Sequence, residues 1–145
     1  MDRNEFEALR DLKGKRITDD VVFKECRGHA NNLIFKKIII HNSLGIPVEL
    51  NGEYKPSHSA FSLTFIEKGK GPICRFDVNS NTHGNVGRTH KHSLTHPKDQ
   101  MAKQNLPHAT ARIDLEGLST SEIWAIMCEQ ANILHEGTFY APDED

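Results

Sequence analysis

Between residues 33 and 79 the chain is a succession of apolar or alternating stretches divided by turn signals, a pattern that folds most readily as sequential antiparallel hairpins. Residues 33–42 are apolar and β-branched, which favours a strand. Asn42-Ser43-Leu44-Gly45 predicts a turn into residues 46–50, and Asn51-Gly52 predicts a second turn directly after them. Residues 59–66 alternate, with Phe61, Leu63 and Phe65 expected inward and Ser62 and Thr64 outward. Lys68-Gly69-Lys70-Gly71-Pro72 leads into another strand over 73–79. Residues 20–26 and 109–115 read as further strands, while the pattern weakens from 80 to 106.

Helices are expected only near the two ends. Asp2 with Glu5 forms a capping box, Phe6, Leu9 and Leu12 share one stripe, and Gly14 stops a helix over 2–13. Ser119 with Glu122 repeats the capping box. It opens a helix whose face carries Ile123, Met127, Ala131 and Leu134, broadened by Trp124 and Ile126. Gly137 is expected to end it, with His135 at its negative end, and the acidic tail 141–145 to fray. The expected class is α+β: a mainly antiparallel, meandering β-sheet packed against a C-terminal α-helix, with a short N-terminal helix, in one domain over 1–145.

The formal charge of -2 provides no global field for nucleic acid, so any such binding needs a local basic patch. Cys26, Cys74 and Cys128 are an odd, widely spaced set, which argues against a disulfide framework and for inert thiols in a reducing compartment. The start of the chain is charged and helical in pattern rather than signal-like, and no apolar run approaches the ~18 residues of a membrane span, so a cytoplasmic location is expected.

Nine histidines are many for 145 residues, and five of them, His83, His90, His92, His96 and His108, fall within one stretch. Strand parity sorts their neighbours. Over 73–79, Arg75 and Asp77 point away from Cys74, Phe76 and Val78. If 88–92 is extended, Arg88, His90 and His92 share a side. Over 108–115, His108, Thr110, Arg112 and Asp114 form the polar side opposite Ala109, Ala111, Ile113 and Leu115. Neighbouring strands would then gather Arg75, Asp77, Arg88, His90, His92, His108 and Arg112 on one surface, thickened by Lys91 and Lys98.

Such a set suits phosphodiester cleavage without a cofactor. Histidine serves as acid or base near neutrality, a carboxylate such as Asp77 orients an imidazole, and guanidinium groups hold phosphate oxygens. His90, His92, Asp77 and His108 are the expected catalytic set, and Arg75, Arg88, Arg112 and Lys91 the substrate-binding set. The alternative is a metal centre: His90 and His92 share a strand side, and His96, His108 or Asp77 would complete a site for zinc or iron. Gly84 followed by His90-Lys91-His92 is similar to the first cupin motif, but His96 stands where that motif carries Glu and no second motif follows. Ordinary polar strand faces are merely solvated, and lone residues such as His29, His41, His58 and His135 suit surface or structural roles.

Cys74-Arg75-Phe76-Asp77 followed by Thr89-His90-Lys91-His92 resembles small bacterial proteins of the TumE-like toxin type, which carry an Arg-x-Asp strand, a gap and a His-Lys-His cluster. The resemblance spans residues 60–135, and residues 1–58 and His96 depart from it. Asn105-Leu106-Pro107-His108 through Arg112-x-Asp114, then an amphipathic helix, is similar to proteins from bacterial and phage genomes. The resemblance implies a ribonuclease-like toxin with Arg75, Asp77, His90 and His92 at the site, RNA or nucleotide phosphate as its target and a cognate antitoxin as partner. A non-enzymatic protein, such as a phage-encoded inhibitor docking on a host defence protein through the same cationic face, is the second expectation. Neither needs a membrane, and both allow an oligomer.

Overall fold

A computed structural model describes residues 1–26, 28, 31–79, 87–93, 106 and 108–144. The elements run α1 (Arg3–Asp11), β1 (Lys15–Ile17), β2 (Val21–Val22), β3 (Lys24–Glu25), β4 (Leu33–Ile40), β5 (Val48–Lys55), β6 (Ala60–Glu67), β7 (Gly71–Val78), β8 (His90–Ser93), β9 (His108–Ala111), α2 (Thr120–Gln130), β10 (Ile133–His135) and β11 (Phe139–Tyr140). Strands β3 to β9 form one antiparallel sheet in chain order, the expected meander. The fold is α+β.

Alternation sets the two faces of the sheet. Phe61, Leu63 and Phe65 on β6 are buried beside Val78, Phe76 and Cys74 on β7, their register partners. With Phe6 and Leu9 of α1 and Ile123, Trp124 and Met127 of α2, they belong to one apolar core. Both helices begin with the expected capping boxes. Trp124 stacks on Phe139 at 4.7 Å and meets the edge of Phe35 at 6.1 Å. The other face of the central strands carries the polar set.

Three expectations about the strands are corrected. Asn51-Gly52 is no turn but lies inside β5. Gly52 pairs with Phe35 and Leu63, and a Cβ there would clash with Phe35 Cε2, so the glycine makes room for a ring. Asn51 Oδ1 accepts the Lys37 N–H at 2.9 Å, where β4 bulges and Lys37 takes φ 62°. Residues 20–26 divide into β2 and β3. The strand over 109–115 ends at Ala111, and Ile113–Leu115 is a 3-10 turn whose Ile113 is 77% exposed.

The C-terminal helix is also shorter than its apolar pattern. It ends at Gln130, Asn132 turns the chain with φ 54°, and Leu134 is exposed on β10. β10 pairs in parallel with β1 and β11 with β2, so the two chain ends hold each other. His135 accepts the Trp124 Nε1–H on Nδ1 at 3.1 Å and donates from Nε2 to the Asp19 carbonyl at 2.8 Å, a structural role. The tail is tied rather than wholly free: the Asp143 carboxylate accepts the backbone N–H and hydroxyl of Thr120 at the start of α2. No described helix is long and apolar enough to cross a membrane.

Candidate functional site

The register of β6 to β9 lays two rows of side chains across the polar face. One row runs Ser62, Asp77, His90, Ala111, and the next runs Thr64, Arg75, His92, Ala109. Directly opposed residues in antiparallel strands share a side. Arg75, Asp77, His90 and His92, drawn from strands separated by a long connection, therefore meet as parity predicts.

Asp77 is the hub, buried to 6% exposure. Arg75 donates from Nε to Oδ2 at 2.8 Å, and Ser62 donates from its hydroxyl to Oδ1 at 2.9 Å. His90 Nε2 and His92 Nε2 lie 3.3 and 3.7 Å from the same Oδ2. The two imidazoles meet edge to face with centroids 4.5 Å apart. His90 is fully buried and His92 nearly so.

Backbone carbonyls assign the tautomers. His90 Nδ1 lies 3.1 Å from the Gly87 oxygen and His92 Nδ1 lies 3.0 Å from the Leu106 oxygen. A carbonyl only accepts, so each Nδ1 must carry the proton. In the neutral ring Nε2 then presents a lone pair, and both lone pairs face one carboxylate oxygen. Burial pulls the His92 pKa below its ordinary value, with the charges of Arg75 and His90 adding to it against the Leu106 carbonyl and Asp77. The neutral ring is therefore the favoured form of His92.

The cluster opens on a groove of about 790 Å³ along the polar face, bordered by Ser62, Thr64, Arg75, Asp77, Asn79 and Arg88. Arg88 thus joins Arg75 on the expected side. Nearby, the Thr89 hydroxyl accepts the N–H of Asn79, whose backbone takes φ 57° where β7 ends.

Two substrate-binding expectations are corrected. Lys91 lies between His90 and His92 and so points to the opposite, core face, its Nζ 5.3 Å from the Phe76 ring centre and 5.9 Å from that of Phe6. Burial pulls its pKa down. The Arg112 guanidinium lies 5.5 Å from the centroid of the same Phe76 ring and is bridged to Asp114 at 2.9 and 3.0 Å. The error is one of register. Ala109 and Ala111 pair with His92 and His90, so the alanines, not Arg112, share the site face. His108 pairs with Ser93, and its side chain lies outside the described residues, as do His83, His96 and Lys98.

The sequence reading did not assign Ser62, the two alanines, or the carbonyls of Gly87 and Leu106 to the site. Ser62 had a signal, since its outward parity on β6 set it opposite Asp77. The carbonyls had none, because any residue type supplies one. Cys74 and Cys128 are buried, and burial raises their thiols to about 11 and about 12, so neither is a nucleophile. None of the family models, curated proteins or solved structures compared with the chain matches it.

Proposed function

We propose that the polar face of the sheet binds RNA through its phosphates and cleaves it, as a ribonuclease-like toxin of the kind the sequence resembles. The observation that supports this reading is the meeting of Arg75, Arg88 and Asp77 along one groove, with His90 and His92 packed against the Asp77 carboxylate. Cleavage by the neighbouring 2′-hydroxyl forms a bond from the 2′-oxygen to phosphorus while the bond to the 5′-oxygen breaks. One proton leaves the 2′-hydroxyl and one is delivered to the 5′-oxygen. An imidazole of the cluster takes the first proton, the imidazolium so formed gives a proton to the 5′-oxygen, and the two guanidinium groups offset charge that develops on the phosphate oxygens.

The test is cleavage of end-labelled single-stranded RNA by the purified chain. Arg75→Gln is expected to lose about 10²-fold or more, as for other fixed charges aimed at a transition state. Arg112→Gln, which alters the core face, keeps the wild-type rate while both variants unfold cooperatively. Induction of the wild-type gene is expected to arrest growth. No cleavage by the wild type, or equal losses from the two arginine variants, would contradict the reading. The burial of His90 and His92 favours a second reading, a face that binds RNA without turning it over, and stable binding with no cleavage is its signature.

A further inference from the structure

We infer that Asp77 Oδ2, His90 Nε2 and His92 Nε2 bind one divalent transition-metal ion, zinc being the best match to the donor set.

Three observations point there. The three donor atoms lie within 4.8 Å of one another. A tetrahedral zinc with bonds of about 2.0–2.1 Å spaces its donors about 3.3–3.4 Å apart, and the carboxylate-to-imidazole separations are 3.3 and 3.7 Å. Those two edges match a zinc centre to within a few tenths of an ångström, and the third, between the imidazoles, lies within 4.8 Å.

The second observation is the tautomer. Both rings spend Nδ1–H on a backbone carbonyl, Gly87 for one and Leu106 for the other. Metal-binding histidines are held in this way, with the far nitrogen committed and the near one left as a lone pair. Here both turn toward the same carboxylate oxygen, where two lone pairs and an anion meet and a cation relieves the repulsion.

The third is the support of the carboxylate. Ser62 holds Oδ1 and Arg75 holds Oδ2, which fixes the aim of the remaining lone pair. With Asp77 at −1 and Arg75 at +1, a divalent ion leaves the centre at about +2. Such a centre attracts an anion, and the groove beside it is where a phosphate or hydroxide would arrive. Three protein ligands leave a position open, as in catalytic rather than structural zinc sites. Imidazole and carboxylate donors with no thiolate also admit iron or cobalt.

The ion shares its residues with the ribonuclease reading but does not depend on it. The test titrates Co²⁺, then Zn²⁺ in competition, into the full-length chain stripped with a chelator. One Co²⁺ per chain with the visible bands of a low-coordinate centre is expected, displaced by one Zn²⁺. Asp77→Asn and His92→Gln are expected to weaken binding at least about 10-fold, while His58→Gln, on the exposed surface, leaves it unchanged. X-ray absorption on the zinc-loaded wild type, which needs no variant to fold, is expected to find two imidazoles. No stoichiometric binding, a shell without two imidazoles, or binding indifferent to Asp77→Asn in a folded variant would overturn the inference. RNA cleavage by the stripped protein at the loaded rate would leave the ribonuclease reading intact and remove any catalytic part for the ion. Metal bound with no cleavage in either state would overturn the ribonuclease reading and leave the metal site standing.

Discussion

A single carboxylate organises the polar face. Asp77 receives a guanidinium, a hydroxyl and the near edges of two imidazoles, yet it is nearly buried. Burying a charge is tolerated only where partners replace water, and the guanidinium and the hydroxyl are such partners. The Cys128 thiol is the contrast, with burial the one influence that moves it. Cys128 is raised to about 12 from 9.0. A folded-state pKa above the unfolded one adds stability below pH 9 and loses it as pH rises toward the folded value. Between pH 9 and 11 the stability of the wild type relative to Cys128→Ala is therefore expected to fall by about 1.4 kcal/mol per pH unit, read from urea midpoints. A gap that stays constant over that range contradicts the burial of this thiol.

Elements supply the aim that residues lack. β7 and β8 pair with Asp77 opposite His90 and Arg75 opposite His92, and that pairing turns a sequence parity into a cluster. Much of this was legible. The alternation of 59–66 and 73–79 names the core face, and Arg75-x-Asp77 with His90-x-His92 names the other. Arg112 and Lys91 were misassigned because parity inside one strand says nothing about which neighbour faces which, and a register shifted by one residue exchanges the faces. Asn51-Gly52 misled for a different reason. Turn chemistry and the need for space under an aromatic ring select the same residue, and only the packing of Phe35 distinguishes them. Gly52→Ala is expected to cost about 1–3 kcal/mol, since the Phe35 ring or the strand must move. A chemical denaturation curve unchanged by the substitution would mean that the ring already has room.

At the scale of the molecule, the sheet separates two kinds of work. The helices and the closing pairs β1–β10 and β2–β11 serve the core face and the chain ends. Those parallel pairs escaped the sequence reading because three- and two-residue strands carry too few residues to show a period. The opposite face is left to the groove, the two arginines and the cluster. What makes the cluster a centre rather than a solvated patch is that carbonyls before and beyond β8, Gly87 and Leu106, fix both imidazoles with Nε2 toward Asp77. Long-range ¹H–¹⁵N correlation spectra of the histidine rings in the full chain, stripped of metal at neutral pH, read that arrangement directly. His90 and His92 are both expected as single Nδ1–H tautomers whose Nε2 resonances move when Zn²⁺ is added. Rings that exchange between tautomers as free imidazole does, or that carry their proton on Nε2, would contradict the account.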